Sequence, residues 1–176
     1  MCDVSLPSSR RGQARPQAGQ RPVCLSLTYR GNPRPVGGAF QWSGAYKKRH
    51  RLVAAERLAG WVGDVVGHGL NVLFAHSYGG VIALNATTHG LRVKDLVLLS
   101  VPAEEVRVEW RNIERAVSLR IHMDIVLLAA RRPQYFTENV EENYLPHWFW
   151  KHSDSHDPEI WEREKSPQLL GLDPAI

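Results

Sequence analysis

The sequence has little cysteine, no long apolar run and no signal-like start, and each of these absences excludes a class of protein. Its two cysteines, Cys2 and Cys24, both lie near the start of the 176 residues, which excludes a disulfide framework and a cysteine-based metal site. No uninterrupted apolar run of about 18 residues occurs, so no transmembrane segment is predicted. The first residues lack the apolar core of a secretion signal, and a cytoplasmic protein is therefore predicted.

Positive charge is concentrated in the first third of the chain. The whole sequence has 22 Lys and Arg against 18 Asp and Glu, and residues 1–51 hold ten of the basic residues but one acid, Asp3. The basic residues are mixed with Pro, Gly, Gln and Ser, so residues 1–36 are predicted to be a disordered basic leader before a domain at 37–176. Because no aromatic residues are interleaved with these charges, no nucleic-acid partner is expected.

Hydrophobic periodicity alternates between the strand and the helix pattern along the rest of the chain. The predicted strands lie at 23–29, 71–76, 95–102, 116–124 and 147–153. The predicted helices lie at 52–66, 78–89, 109–116 and 157–165. Glycines end the first two helices, and Asp157 caps the last one. This order predicts an α/β protein with a mostly parallel sheet flanked by helices.

A serine stands between a predicted strand and the helix that follows it, in the segment VLFAHSYGGVIAL. Small residues lie two positions away on each side of Ser77, at Ala75 and Gly79, and Gly80 adds further clearance. A side chain on such a sharp turn requires a strained backbone and close contact between strand and helix, so larger neighbours would collide. The N–H of Tyr78 lies at a helix N-terminus, where it can stabilise an oxyanion.

This strand–serine–helix arrangement resembles the nucleophile elbow of the α/β-hydrolase superfamily, in the variant whose first glycine is alanine. The upstream segment FQWSGAYKKRHR is similar to one in esterase- and lipase-like members, where an aromatic-Trp-Ser-Gly run leads through arginines into a helix. The resemblance covers about residues 38–165. It implies a serine hydrolase that cleaves carboxylic esters through an acyl-enzyme, without a cofactor.

The resemblance also implies that an acid and then a histidine follow the serine along the chain. Asp124 ends a predicted strand, where open parallel sheets build their sites, and His152 precedes the last predicted helix. In this interpretation Ser77 attacks an acyl carbonyl, and His152 takes the serine proton and returns it to the leaving group. Asp124 orients the imidazole and stabilises its charged form.

Other residues compete for these roles. Glu104 and Glu105 follow the preceding strand and are alternative acids, and Asp124 has a competing role as a helix cap before IVLLAA. His156 directly precedes the capping aspartate and is the alternative base. His152 and His156 have a spacing that suits zinc on a helix, but the residues between them are a poor helix interior, so no metal is expected.

Two further histidines lie close to the candidate residues in sequence. His76 directly precedes the serine and is predicted to be structural in the elbow rather than the base. His122 is predicted to point with Asp124 if the strand at 116–124 keeps its alternation. Downstream, Tyr135, Phe136 and the aromatic run at 148–150 are candidates for an apolar acyl pocket, although such clusters are more often core.

The start of the chain departs from the family pattern. Family members normally begin with a strand and a His-Gly-type loop that supplies the second oxyanion N–H, and the nearest candidate here is Gly31 in LTYRGNP. The usual first strands are therefore predicted to be lacking. Two functions remain open: a hydrolase of small ester or acyl substrates with impaired activity, and an inactive hydrolase-fold module that binds a ligand or partner. The sequence does not specify an oligomeric state.

Overall fold

Strands and helices alternate along the chain, as the periodicity predicts. The computed structural model describes residues 24–27, 40, 42–44, 47–67, 69–103, 106–131, 136, 139–145 and 151–172, and for 24–27 it describes the backbone alone. The strands are β1 (Cys24–Leu27), β2 (Leu70–His76), β3 (Val93–Leu99), β4 (Ile113–Arg120) and β5 (Glu141–Tyr144). The α-helices are α1 (Lys48–Val66), α2 (Tyr78–Ala86), α3 (Ile125–Ala129), α4 (Pro158–Arg163) and α5 (Ser166–Leu169). A 3-10 turn at His152–His156, here called the histidine turn, precedes α4.

The five strands form one sheet in the order β1-β2-β3-β4-β5, and every neighbouring pair is parallel. This confirms the α/β class and the parallel sheet that the sequence predicts. Because all strands run the same way, the residues that follow them meet at one edge, here called the carboxyl edge. Main-chain bonds continue past the strands there: Ser77 N–H donates to Leu99 O at 2.9 Å, and Ser100 N–H donates to Leu119 O at 3.0 Å.

The central strands are apolar on both faces because helices cover both sides of the sheet. One face packs against α1 and α2, and its buried residues include Leu58, Leu73, Ile82, Leu96 and Leu98. The other face packs against α4 and α5, and its buried residues include Phe74, Val97, Leu119, Ile160 and Leu170. None of the helices in the described part of the chain is both long and apolar enough to cross a membrane.

Local stop signals in the sequence are confirmed at several helix ends. Gly67 ends α1 in the left-handed conformation at φ 74°, with its N–H donating to Val62 O and Gly63 O. The helix predicted at 78–89 continues as α2 and a 3-10 turn, and it ends at Gly90 with φ 90°. Asp157 caps α4 by accepting from the N–H groups of the first turn.

Two predicted elements after residue 102 are wrong in the described part of the chain. The helix predicted at 109–116 is a single 3-10 turn, because the main chain from Ile113 onward pairs with β3 instead. Residues 151–153 are not part of a last strand, since the histidine turn begins at His152, and residues 147–150 lie outside the described residues. The last described strand is β5, in a stretch whose periodicity indicated no element.

The strand predicted at 23–29 is present as β1, which pairs with β2 from Cys24↔Val72 to Leu27↔Ala75. It lies inside the segment assigned to the basic leader. The rest of residues 1–36 lies outside the described residues, so the disordered leader stays a prediction.

Candidate active site

Ser77 occupies the turn between β2 and α2 in a strained conformation. Its φ of 53° and ψ of −132° place a non-glycine residue where side chains are rarely found. The surrounding bonds hold it there, because Ser77 N–H donates to Leu99 O at 2.9 Å and Gly80 N–H donates to Ser77 O at 3.0 Å. Such strain costs on the order of 1–3 kcal/mol and persists where neighbouring structure enforces it. The strained backbone that the sequence predicts at this serine is therefore present at the carboxyl edge.

Gly80 brings α2 into close contact with the segment that follows β3. A Cβ on Gly80 would lie 2.7 Å from Val101 Cγ1, still closer to Cγ2, and 3.0 Å from Cβ. Val101 is fully buried, and distances this short require a neighbouring group to shift. The clearance that the sequence predicts at this glycine is confirmed.

Replacing Gly80 by alanine is expected to lower the free energy of unfolding by roughly 1–3 kcal/mol, because the methyl group overpacks a closed contact. Urea unfolding of the Gly80→Ala variant measures this change. Gly60→Ala is the matched control: Gly60 is also helical, and a Cβ there meets nothing within 4 Å. The free energy of unfolding of Gly60→Ala is expected to rise by about 0.4–1 kcal/mol. Equal stability changes in the two variants would contradict the steric argument.

Asp124 follows β4 and uses its two carboxylate oxygens for different purposes. Oδ1 accepts from the N–H groups of Val126 and Leu127, each at 3.1 Å, and so caps α3. Oδ2 lies 2.6 Å from Nδ1 of His152. The side chain is almost completely buried, at 1% exposure. The sequence offered two alternative roles for Asp124, helix cap and partner of a histidine. In the structure Asp124 fills both.

The environment of Asp124 favours its ionised form. Burial acts to raise the pKa of this carboxyl, but the hydrogen bond and charge of His152 outweigh it, together with the N–H of Leu127 and the hydroxyl of Ser100. The net result is a pKa below the ordinary value. An ionised carboxylate only accepts hydrogen bonds, so Nδ1 of His152 carries the proton between them.

His152 therefore has its second ring nitrogen available for chemistry. Nε2 is buried and has no hydrogen-bond partner among the described residues. With Nδ1 protonated and bonded to Asp124, Nε2 of the neutral ring carries a lone pair that can accept a proton. This is the orientation that a general base needs.

His76 connects the histidine turn to the serine. Its ring centroid lies 4.7 Å from that of His152 and 4.2 Å from that of His156. Its Nε2 lies 3.2 Å from the main-chain oxygen of His152. Burial, followed by the charges of His156 and His152, lowers the pKa of His76 to about 3. Ser77 is the next residue along the chain, so the main chain of His152 contacts the residue that precedes the serine.

His156 also packs on the ring of His76, and it makes no hydrogen bond to Asp124 within the described residues. Its Nδ1 is buried and has no hydrogen-bond partner in the described part of the chain. Burial, and then the charge of His152, lower the pKa of His156. Of the two histidines that the sequence offers as base, His152 is the one in contact with the acid.

Several of the remaining candidates fall outside the described residues, and the structure gives the others different contacts. Glu104, Glu105, Gly31, Tyr135 and residues 148–150 are outside the described residues. β4 ends at Arg120, so the alternation of its side chains does not reach His122. The ring of His122 stacks on that of Tyr144, with 4.9 Å between the ring centroids. Phe136 lies under the guanidinium of Arg120 and packs on the sheet core. Within the described ranges, no group of three His, Cys, Asp or Glu side chains is arranged to hold a metal ion.

Two residues near the site were missed by sequence reasoning. Arg51 of α1 is 4% exposed, and its guanidinium carbon lies 4.5 Å from the centroid of the Tyr78 ring, at the start of α2. In the sequence it belongs to a basic run, which indicates a solvated helix start. Ser100 follows β3 at φ 46° and is buried beside Asp124. Only packing distinguishes these two residues from their neighbours.

The chain was compared with protein families, with curated proteins and with solved structures. The alpha/beta hydrolase family matches residues 9–174. Searches of curated proteins and of solved structures returned no significant match.

Proposed function

The chain belongs to the alpha/beta hydrolase family, and from this premise we propose that it cleaves carboxylic esters through an acyl-enzyme on Ser77. One observation carries the proposal: the 2.6 Å contact between Asp124 and His152, on a segment that touches the residue next to Ser77. A carboxylate at Nδ1 of the base is the acid–base contact that this mechanism needs, and it leaves Nε2 for the nucleophile. An acyl-enzyme on Ser77 implies that the small-molecule substrate is an ester or another acyl compound.

The proposed reaction proceeds in two steps. In the first, Ser77 Oγ attacks the ester carbonyl while Nε2 of His152 takes the hydroxyl proton, and the N–H of Tyr78 stabilises the oxyanion. The C–O bond then breaks, and His152 returns the proton to the departing alcohol. In the second step water attacks the acyl-serine, with His152 again taking and returning a proton, and the free acid leaves. Asp124 keeps Nδ1 protonated throughout and stabilises the imidazolium.

A fluorophosphonate probe tests the nucleophile directly. The folded wild-type protein is expected to be labelled on the peptide that contains Ser77, as read by mass spectrometry, and Ser77→Ala is expected to lose the label. Ser153→Ala is the matched control, since Ser153 is an exposed serine next to the base, and it is expected to keep the label. A folded wild-type protein that resists the probe and does not turn over p-nitrophenyl esters would contradict the proposal.

A second candidate function is an inactive hydrolase-fold module that binds a ligand or partner. The observation that favours it is the lack of a hydrogen-bond partner for Nε2 of His152 among the described residues. Catalytic hydrogen bonds are often long before substrate binds, so the same observation is also compatible with an enzyme. The probe experiment separates the two, because a module without a reactive serine is not labelled.

A further inference from the structure

His76 makes a contact that the proposed reaction does not assign to any residue. We propose that His76 is a positioning residue, which holds the base segment against the nucleophile strand through a hydrogen bond from its Nε2–H to the main-chain oxygen of His152. This inference rests on the proposed function. It differs from the structural role expected from the sequence, because the bond reaches the residue that carries the proton transfer.

The direction of this bond follows from its chemistry. A main-chain carbonyl only accepts hydrogen bonds, so Nε2 of His76 must be the donor at the 3.2 Å separation. The ring is neutral at neutral pH, because burial and the charges of His156 and His152 oppose its protonation. A neutral imidazole has a single N–H, and His76 therefore directs it to His152.

The bond connects two parts of the chain that nothing local brings together. His76 and His152 are 76 positions apart, and His76 ends the strand that presents Ser77. The far side of the histidine turn is tied to the same strand by Trp161, whose Nε1–H donates to Ser155 O at 2.6 Å and whose ring contacts Phe74 at 5.6 Å. Both ends of the histidine turn are thus held to β2. The hydrogen bond from His76 is the one made to His152, the proposed base.

Two bonds to residues distant in the chain fix His152, in addition to a local one from Ser155 Oγ to its main-chain oxygen at 3.4 Å. Asp124 holds the ring at Nδ1, and His76 holds the main chain from which the ring extends. Without the main-chain bond, the residue can shift while the bond to Asp124 is maintained. Proton transfer is sensitive to such shifts, and a displacement of about 1 Å can cost on the order of 10²-fold in rate.

Two variants distinguish the effect of the hydrogen-bond donor of His76 from the effect of its ring. His76→Phe keeps a flat ring in contact with those of His152 and His156 but removes the donor, and His76→Gln provides an amide N–H at a similar distance along the side chain. His76→Phe is expected to lower kcat by roughly 10- to 100-fold with KM within about threefold, and His76→Gln to recover most of kcat. His89→Phe is the control, because His89 is exposed and follows α2, which leads away from the carboxyl edge.

A readout without substrate distinguishes this inference from the proposed function. In wild-type protein, NMR of labelled histidines is expected to show His76 with its proton on Nε2 and a protected proton on Nδ1 of His152. The His152 signal is expected to exchange faster in His76→Phe and to recover in His76→Gln. If wild-type protein has no esterase activity, the proposed function fails. The NMR signals alone then decide whether the hydrogen bond from His76 to His152 exists.

Several results would overturn the inference. A proton on Nδ1 of His76 in the wild type would remove the donor, and this measurement needs no variant to fold. Unchanged kcat and an unchanged His152 signal in His76→Phe would show that the bond does not position the base. Equal losses in His76→Phe and His76→Gln would show that ring volume matters and the donor does not.

Discussion

An Asp124→Asn variant is expected to lose roughly 10³- to 10⁴-fold in kcat on an ester substrate while it remains folded. The reason lies in how the two carboxylate oxygens are used. One oxygen accepts from the N–H groups of Val126 and Leu127, and the other accepts from Nδ1 of His152. Asparagine has one acceptor oxygen, and the helix N-terminus requires it. The amide NH₂ then faces His152, whose Nδ1 must become the acceptor. The proton moves to Nε2, which can no longer take the proton of Ser77.

Asp157→Asn is the matched control for this experiment. Asp157 caps α4 with one oxygen, which accepts from the N–H groups of Glu159 and Ile160. It is thus the same substitution at the same kind of cap, and kcat is expected to stay within about threefold because asparagine is an equally good cap. Steady-state kinetics and urea unfolding on both variants give the comparison. If Asp124→Asn is as active as Asp157→Asn, Asp124 is a helix cap alone and the proposed triad fails.

The protein is expected to lose about 2 kcal/mol of stability through His76 alone between about pH 7 and about pH 5. The pKa of His76 is lowered from its ordinary value of 6.5 to about 3 in the folded protein. Between these values the unfolded chain binds a proton that the folded chain does not, so unfolding is favoured as the pH falls through this window. The pKa of His156 is also lowered in the folded protein, so His156 too makes the protein less stable as the pH falls.

Urea unfolding at the two pH values measures this loss in wild type, His76→Phe and the control His89→Phe. Phenylalanine does not titrate, so the stability of His76→Phe is expected to fall by about 2 kcal/mol less than that of the wild type. His89→Phe is expected to keep the wild-type pH dependence. Asp124 does not affect this comparison, because the stability that its lowered pKa contributes is lost only as the pH falls through the ordinary carboxyl pKa and further, below the end of the range at about pH 5. The same pH dependence in all three proteins would contradict a buried neutral His76.

Much of the elbow was predictable because its causes are local. The serine between strand and helix, the clearance at Gly80 and the helix end at Gly90 follow from residues a few positions apart. The parallel sheet was also predictable, because strands that alternate with helices pair in parallel. The predictions failed at 109–116, where the main chain pairs with β3 and a short periodic pattern did not reveal that pairing.

The fold class and the strained serine followed from the residues alone, as did the order of Ser77, Asp124 and His152 along the chain. The sequence favoured His152 over His156 as the base but could not show which of them contacts Asp124, assign Asp124 as both helix cap and histidine partner, or place His76 against the main chain of His152. These contacts come from the folded chain, because each joins groups far apart in the sequence that meet only when the histidine turn packs on the sheet edge. Side-chain periodicity records which face of an element is buried, and it carries no information about which distant partner covers that face.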